Sequence, residues 1–293
     1  MQTLEAVKRK LESAEDLQSV VKTMKAMAAV SIRQYEQAVE SLQEYNRALE
    51  QAFQIMMQRG PIINPPEDAN SRLGVFVFGS EQGMCGQFNE EIAEFALERM
   101  QRIQENPDYR HVVTLGVRTV GHLEAGGQAV EDTFALPSSI HEITWSVQEL
   151  LLKIEAWRAE ENIERIVLFY NKKRSGSSYE PQLRFLLPLN ISWLQKLAKR
   201  EWPSSSLPTY SMDWQHLFAS LIRHYFFFHL YRAFAESLAS ENASRLAAMQ
   251  AAEKNIEERL DGLNSQYNRQ RQSSITSELL DIVSGFEALE TKG

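Results

Sequence analysis

Residues Val21–Glu50 read VKTMKAMAAVSIRQYEQAVESLQEYNRALE, and the span from residue 3 to residue 58 around them holds neither glycine nor proline. Apolar residues recur along it at Leu4, Val7, Leu11, Leu17, Val21, Met24, Ala28, Tyr35, Val39, Leu42 and Leu49. Steps of mostly three and four are helical spacing close to a heptad. The pattern predicts one long helix over residues 1–58, roughly 80 Å long at 1.5 Å per residue. The segment RGPIINPPED (Arg59–Asp68) then breaks it with three prolines and a glycine.

The texture changes over residues 70–192. Short β-rich runs appear as RLGVFVFG, HVVTLGV, RIVLFYNK and QLRFLLPL. Helical patterns at 89–104, 119–125 and 142–161 fall between the first three. Strands alternating with helices predict a Rossmann-like α/β domain with a largely parallel sheet. The last two runs are separated only by KKRSGSSYE, which suits an antiparallel hairpin at one edge. A second break, KREWPSSSLPTYSMD (Lys199–Asp213), precedes a long helix over residues 210–290. Its stripe runs Ile256, Leu260, Leu263, Tyr267, then Ile275, Leu279, Ile282, Phe286 and Leu289, with the polar RQRQSS between the two parts.

A long helix cannot bury its stripe alone. The insert returns the chain, so the two terminal helices are expected to pair as an antiparallel coiled coil flanking the α/β domain. Two separate, shorter helix bundles are the alternative.

Composition excludes several classes. The 293 residues are 43% hydrophobic and 24% charged, as in globular proteins. A net charge of −8 argues against nucleic acid as the main partner. Cys85 is the sole cysteine, so no intrachain disulfide forms. No run of about 18 apolar residues exists, so membrane contact is expected only through partners. The first residues, MQTLEAVKRKLESAEDL, are too charged for a secretory signal and too acidic for a typical transit peptide.

The stretch FVFGSEQGMCGQFN (Phe76–Asn89) ends a strand in a glycine-rich turn, as many nucleotide sites begin. Its spacing, Gly79–Gly83–Gly86, matches neither the dinucleotide fingerprint nor the P-loop, and no lysine follows. Glu90 and Glu91 at the next helix start would compete with a phosphate. Gly79, Gly83 and Gly86 are therefore read as structural turn residues with freedom for positive φ, and Cys85 as a small filler. The six histidines form no zinc pattern. No nucleophile, base and orienter can be read, so neither a cofactor nor a metal is expected. Arg269, Arg271, Gln272, Thr276 and Glu278 form a polar notch near the end of the last helix, either an exposed face or a docking surface for other subunits.

Several of these stretches resemble one family, the gamma subunits of F-type ATP synthases. SRLAAMQAAEKNIEERLDGLNSQYNRQRQSSITSELLDIVSGFEAL is similar to that family's closing helix, and VKTMKAMAAVSIR to its opening helix. FGSEQGMCGQFN resembles its glycine loop and PQLRFLLPL the last strand of its α/β domain. The end motif falls on Ile275, Thr276, Glu278, Asp281 and Gly285. The resemblance covers nearly the whole chain and implies a central rotor shaft, non-catalytic itself, that couples ion flow through a c-ring to ATP synthesis or hydrolysis on an alpha/beta hexamer. It implies alpha, beta and epsilon subunits and the c-ring as partners, with catalytic sites on beta. It places Met24, Lys25, Arg271, Gln272, Thr276 and Glu278 against the hexamer, and the chain peripherally on the cytoplasmic face of a prokaryotic inner, or thylakoid, membrane. Phe286, Gln87 and the AVSIRQYEQ run depart from the family pattern. They leave open whether this is a housekeeping form or the divergent second ATPase of some prokaryotes; the coupling ion is open too. A nucleotide- or cofactor-binding α/β protein and a plain coiled-coil scaffold are the competing readings.

Overall fold

The computed structural model describes residues 3–59, 72–203, 205–206 and 208–290. The predicted break at 60–68 lies outside the described residues, as do the side chains of Phe286 and Leu289. Two long helices, α1 (Leu4–Arg59) and α6 (Trp214–Glu290), flank a five-stranded sheet. The chain forms two compact units, one of residues 28–245 and one of residues 1–27 with 246–293.

The larger unit holds the sheet, in the order β3 (Asp132–Phe134), β2 (Arg110–Leu115), β1 (Leu73–Phe78), β4 (Arg165–Lys173), β5 (Tyr179–Leu187). β1 pairs in parallel with β2 and β4, and β2 with β3, while β4 and β5 are antiparallel, as the short link between them predicts. Side chains alternate across a strand, so β1 serves two cores. Leu73, Val75 and Val77 join Ile92, Ala96 and Met100 of α2 (Phe88–Ile103) and Leu123 of α3 (Val120–Ala125). Phe76 and Phe78 point the other way, toward α4 (Ile140–Glu160) and the parts of α1 and α6 in this unit. Phe76 lies 4.9 Å from the Trp157 ring and Phe78 5.0 Å from Phe234, centroid to centroid. A glycine at 74 leaves room for Trp157, whose ring a Cβ there would meet at 2.8 Å.

Two elements escape the sequence reading. β3 is three residues long and mostly exposed, too short to show a period. α5 (Ile191–Ala198) begins two residues past the end of the apolar QLRFLLPL run, too close behind it to stand apart; Asn190 caps it by accepting from the Trp193 N–H at 3.0 Å.

The smaller unit is a helix pair. Val7, Ala14 and Leu263 are buried together, with Leu11, Leu260 and Tyr267 packed against them. Lys25 and Glu253 form an ion pair. Numbers rise along α1 as they fall along α6, so the helices are antiparallel. The buried positions Val7, Ala14 and Val21 repeat every seven residues, with the half-buried Leu11, Gln18 and Lys25 between them, which is the spacing of a heptad seam. Leu17, assigned above to the stripe, is 58% exposed. It sits one residue before the seam position that Gln18 fills. The stripe read from hydrophobicity alone took in a neighbour of the true seam.

Candidate functional site

The form of the glycine loop invites a ligand. Gly79 N–H donates to the Leu115 carbonyl at 2.8 Å and Ser80 N–H to Asn89 Oδ1 at 2.9 Å. Asn89 in turn donates to Ser80 Oγ at 2.9 Å, and Thr119 Oγ1 donates to Asn89 Oδ1 at 3.2 Å. The carbonyls of Gln82 and Cys85 face α6, where Arg245 Nη2 and Ser244 Oγ donate to them at 3.3 and 2.5 Å. A phosphate needs free N–H donors. Here the first two N–H groups are used and two of the carbonyls are turned to α6. Arg245 is also held by Glu241 at 2.6 Å, and burial pushes the Glu241 carboxyl up despite that partner. Burial likewise raises the Cys85 thiol, which keeps it protonated and unreactive. The loop is a clamp between sheet and helix.

Its three glycines do different things. Gly86 has φ +58°, the left-handed region. Gly79 is needed for space: a Cβ there would lie 1.6 Å from Thr119 Oγ1. Gly83 meets nothing within 4 Å and has no positive φ. The second left-handed position in the loop is Met84, φ +61°.

A cluster the sequence does not announce joins β2, β3 and α4. His111 Nδ1 lies 3.1 Å from Glu131 and 2.9 Å from Glu161, while Lys153 Nζ bonds the other Glu131 oxygen at 2.7 Å. Burial alone would raise the Glu131 carboxyl, but the Lys153 and His111 hydrogen bonds outweigh it and hold it below its ordinary value. Glu131 and Glu161 lie 20 and 50 residues from His111 and meet it only through the fold, so spacing carries no signal of them. The ligand atoms lie within 4.8 Å of one another, yet Lys153 already fills the cation's role.

The end of α6 is the opposite of the loop. Tyr267 is the last α6 residue in the paired cluster. From Arg271 to Ser284 every side chain is exposed except Ser274, which is half-buried. Five large apolar residues, Ile275, Leu279, Leu280, Ile282 and Val283, are between 47% and 62% exposed. The expected burial of Ile275, Leu279 and Ile282 on α1 is thus corrected: among the described residues no apolar side chain of α6 beyond Tyr267 is buried. Among the polar residues there, Thr276 Oγ1 donates back to the Gln272 carbonyl at 2.8 Å, and Glu278 takes a long 3.4 Å bond from Ser274. Arg271 and the Gln272 side chain make no hydrogen bond or ion pair to the described residues. Met24 and Lys25 lie apart from this group along the helix pair, half-buried, with Lys25 held by Glu253.

The geometry therefore defines a class: an interaction protein whose unsatisfied surface is a helix and whose glycine loop is structural. A family model described as ATP synthase matches residues 3–289, and the chain belongs to that family. It is 28% identical to the ATP synthase gamma chain of Pelagibacter ubique over 303 residues, covering 99% of this chain and all of that one. The gamma chain of Ralstonia nicotianae is 25% identical over 287 residues, covering 97% and 98%. Among solved structures, the fold resembles a chain of the Euglena gracilis mitochondrial ATP synthase OSCP/F1/c-ring assembly, with TM-score 0.63, 18% identity and 98% and 94% of the two chains covered. A chain of the rotor of the same enzyme matches with TM-score 0.60, 16% identity and 93% and 98% coverage.

Proposed function

We propose that this chain is the gamma subunit, the central rotor shaft, of a rotary F-type ATP synthase. It couples ion flow through a c-ring to ATP synthesis or hydrolysis on an alpha/beta hexamer. It is non-catalytic, and the catalytic sites lie on the beta subunits. Its partners are the alpha, beta and epsilon subunits and the ring. No helix among the described residues is long and apolar enough to cross a membrane, so the ring supplies its membrane contact, on the cytoplasmic face of the membrane.

One observation carries the reading: the unpaired stretch of α6, where five large apolar residues lie open beside Arg271, Gln272, Thr276 and Glu278. An apolar row of that size needs a partner surface. A smooth apolar collar lets a helix turn inside it, and the polar residues supply contacts that differ with angle. Such differential contact with each state of a neighbour is what drives a conformational cycle. Met24 and Lys25 form a second contact level on α1.

The test is reconstitution with alpha, beta, epsilon and the membrane sector. Truncation after Ser274 is expected to lower ATP-driven ion pumping about tenfold or more, the effect of losing a central apolar contact. Full pumping by the truncated chain would overturn the assigned contacts. Failure of the intact chain to co-purify with alpha and beta would overturn the function.

A further inference from the structure

A cavity of about 300 Å³ in the larger unit is lined by Arg184, Arg232, His229, Asn190, Trp193 and Glu50, among others. Arg184 stands on the same face of β5 as the buried Leu186, the face covered by the terminal helices. Arg232 and His229 come from α6, three residues apart and so on adjoining positions of one helix face. Asn190 and Trp193 come from the first turn of α5 and Glu50 from α1.

The charges of this cavity do not cancel. Glu50 is taken by Arg200 at 3.2 Å and by Asn46 at 3.1 Å. Arg232 gives its Nε to Glu236 at 2.8 Å, and its terminal nitrogens bond no other described residue. Arg184 makes neither a hydrogen bond nor an ion pair to the described residues. A guanidinium carries five donors in a planar fork, so the two arginines together leave most of theirs unused. His229 reports the resulting field. Its pKa is pushed down to about 3, by burial first and then by Arg184 and Arg232, with no carboxylate offsetting them. The ring is neutral at physiological pH, edge-on to Tyr225 at 4.3 Å, and makes no hydrogen bond to a described residue. It keeps one donor and one acceptor in hand.

We propose that this cavity is a binding site for a phosphate-class oxyanion, held between Arg184 and Arg232 with the His229 N–H as a neutral donor. Arginine forks match tetrahedral oxyanions in a two-pronged geometry and hold them more strongly than neutral donors do. A cation would meet two like charges, and an apolar ligand would strand the guanidinium groups. Free phosphate and the phosphate of a small ester share this chemistry. The site is separate from the contacts assigned to the rotor function, so either can fail without the other.

The test is calorimetric titration of the purified full chain with inorganic phosphate, at constant ionic strength against a chloride control, with glycerol 3-phosphate in parallel. Saturable binding of phosphate or the ester is expected, weakened about tenfold or more by Arg184→Gln, the loss of a charge-assisted contact. Tighter binding of the ester would identify an esterified phosphate as the ligand, and equal or weaker binding free phosphate. Arg184 is exposed, so its variant should fold, and circular dichroism checks this. A second readout is the His229 imidazole resonance. An anion beside Arg184 and Arg232 offsets their field, so the His229 titration should move upward with phosphate, away from pH about 3. The groups facing the ring are Arg184, Arg232 and Glu50, with Glu236 paired to Arg232. Absence of saturable binding of both ligands would overturn the proposal, as would binding that Arg184→Gln leaves unchanged.

Discussion

The Gly79–Asn89 loop and the Arg271–Ser284 stretch of α6 exchange the roles their sequences suggest. The loop has the glycines, the cysteine and the strand-to-helix position of a ligand site, yet its polar atoms are largely spent on one another and on Ser244 and Arg245. The α6 stretch reads as ordinary amphipathic helix, yet it leaves Ile275, Leu279 and Ile282 open, without a covering partner among the described residues. Satisfied polar groups hold a fold together; unsatisfied apolar surface marks where another molecule belongs. The comparison makes a sharp division: loop changes should cost stability, and α6 changes should cost assembly.

The largest stability effect is expected at Gly79. Gly79→Ala drives a Cβ into Thr119 and should destabilise the isolated chain by about 3 kcal/mol, as overpacking at a rigid site does; urea unfolding measures it. A loss under about 1 kcal/mol would show that Thr119 can move aside and that the clamp is loose. Next comes the triple change Ile275→Ser, Leu279→Ser, Ile282→Ser. It should lower ATP-driven pumping of the assembled enzyme about tenfold, equivalent to about 1.4 kcal/mol, while the melting of the isolated chain stays put. If melting fell and pumping did not, the two regions would have been assigned the wrong way round. Gly86→Ala, at φ +58°, should cost about 1–2 kcal/mol from the left-handed backbone. Gly83→Ala, in open space, should stay within about 0.5 kcal/mol, which separates the one dispensable glycine of the three.

Much of the architecture is legible in the chain. The breaker-free span up to residue 58 reads directly as α1, and the long late stretch as α6. Four β-rich runs give four of the five strands described, because short apolar runs bounded by turn residues mark them. β3 stays hidden since three residues show no period, and α5 because its apolar residues continue those of β5. A hydrophobicity pattern misplaces the seam at Leu17, since Gln18 and Lys25 occupy half-buried seam positions that it skips. The Arg184–Arg232 cavity and the His111 cluster were illegible for a different reason. Their members are distant in sequence and meet only once the sheet has formed.

Those polar seam positions have a mechanical consequence. Sliding α1 along α6 by one heptad would carry Lys25 about 10 Å from Glu253, leaving a half-buried ammonium and a carboxylate without each other. An all-leucine seam would offer a nearly equivalent packing at each such step. The ion pair thus acts as an index pin. It gives the two helices one axial setting, so a twist applied to one is shared by the other without creep.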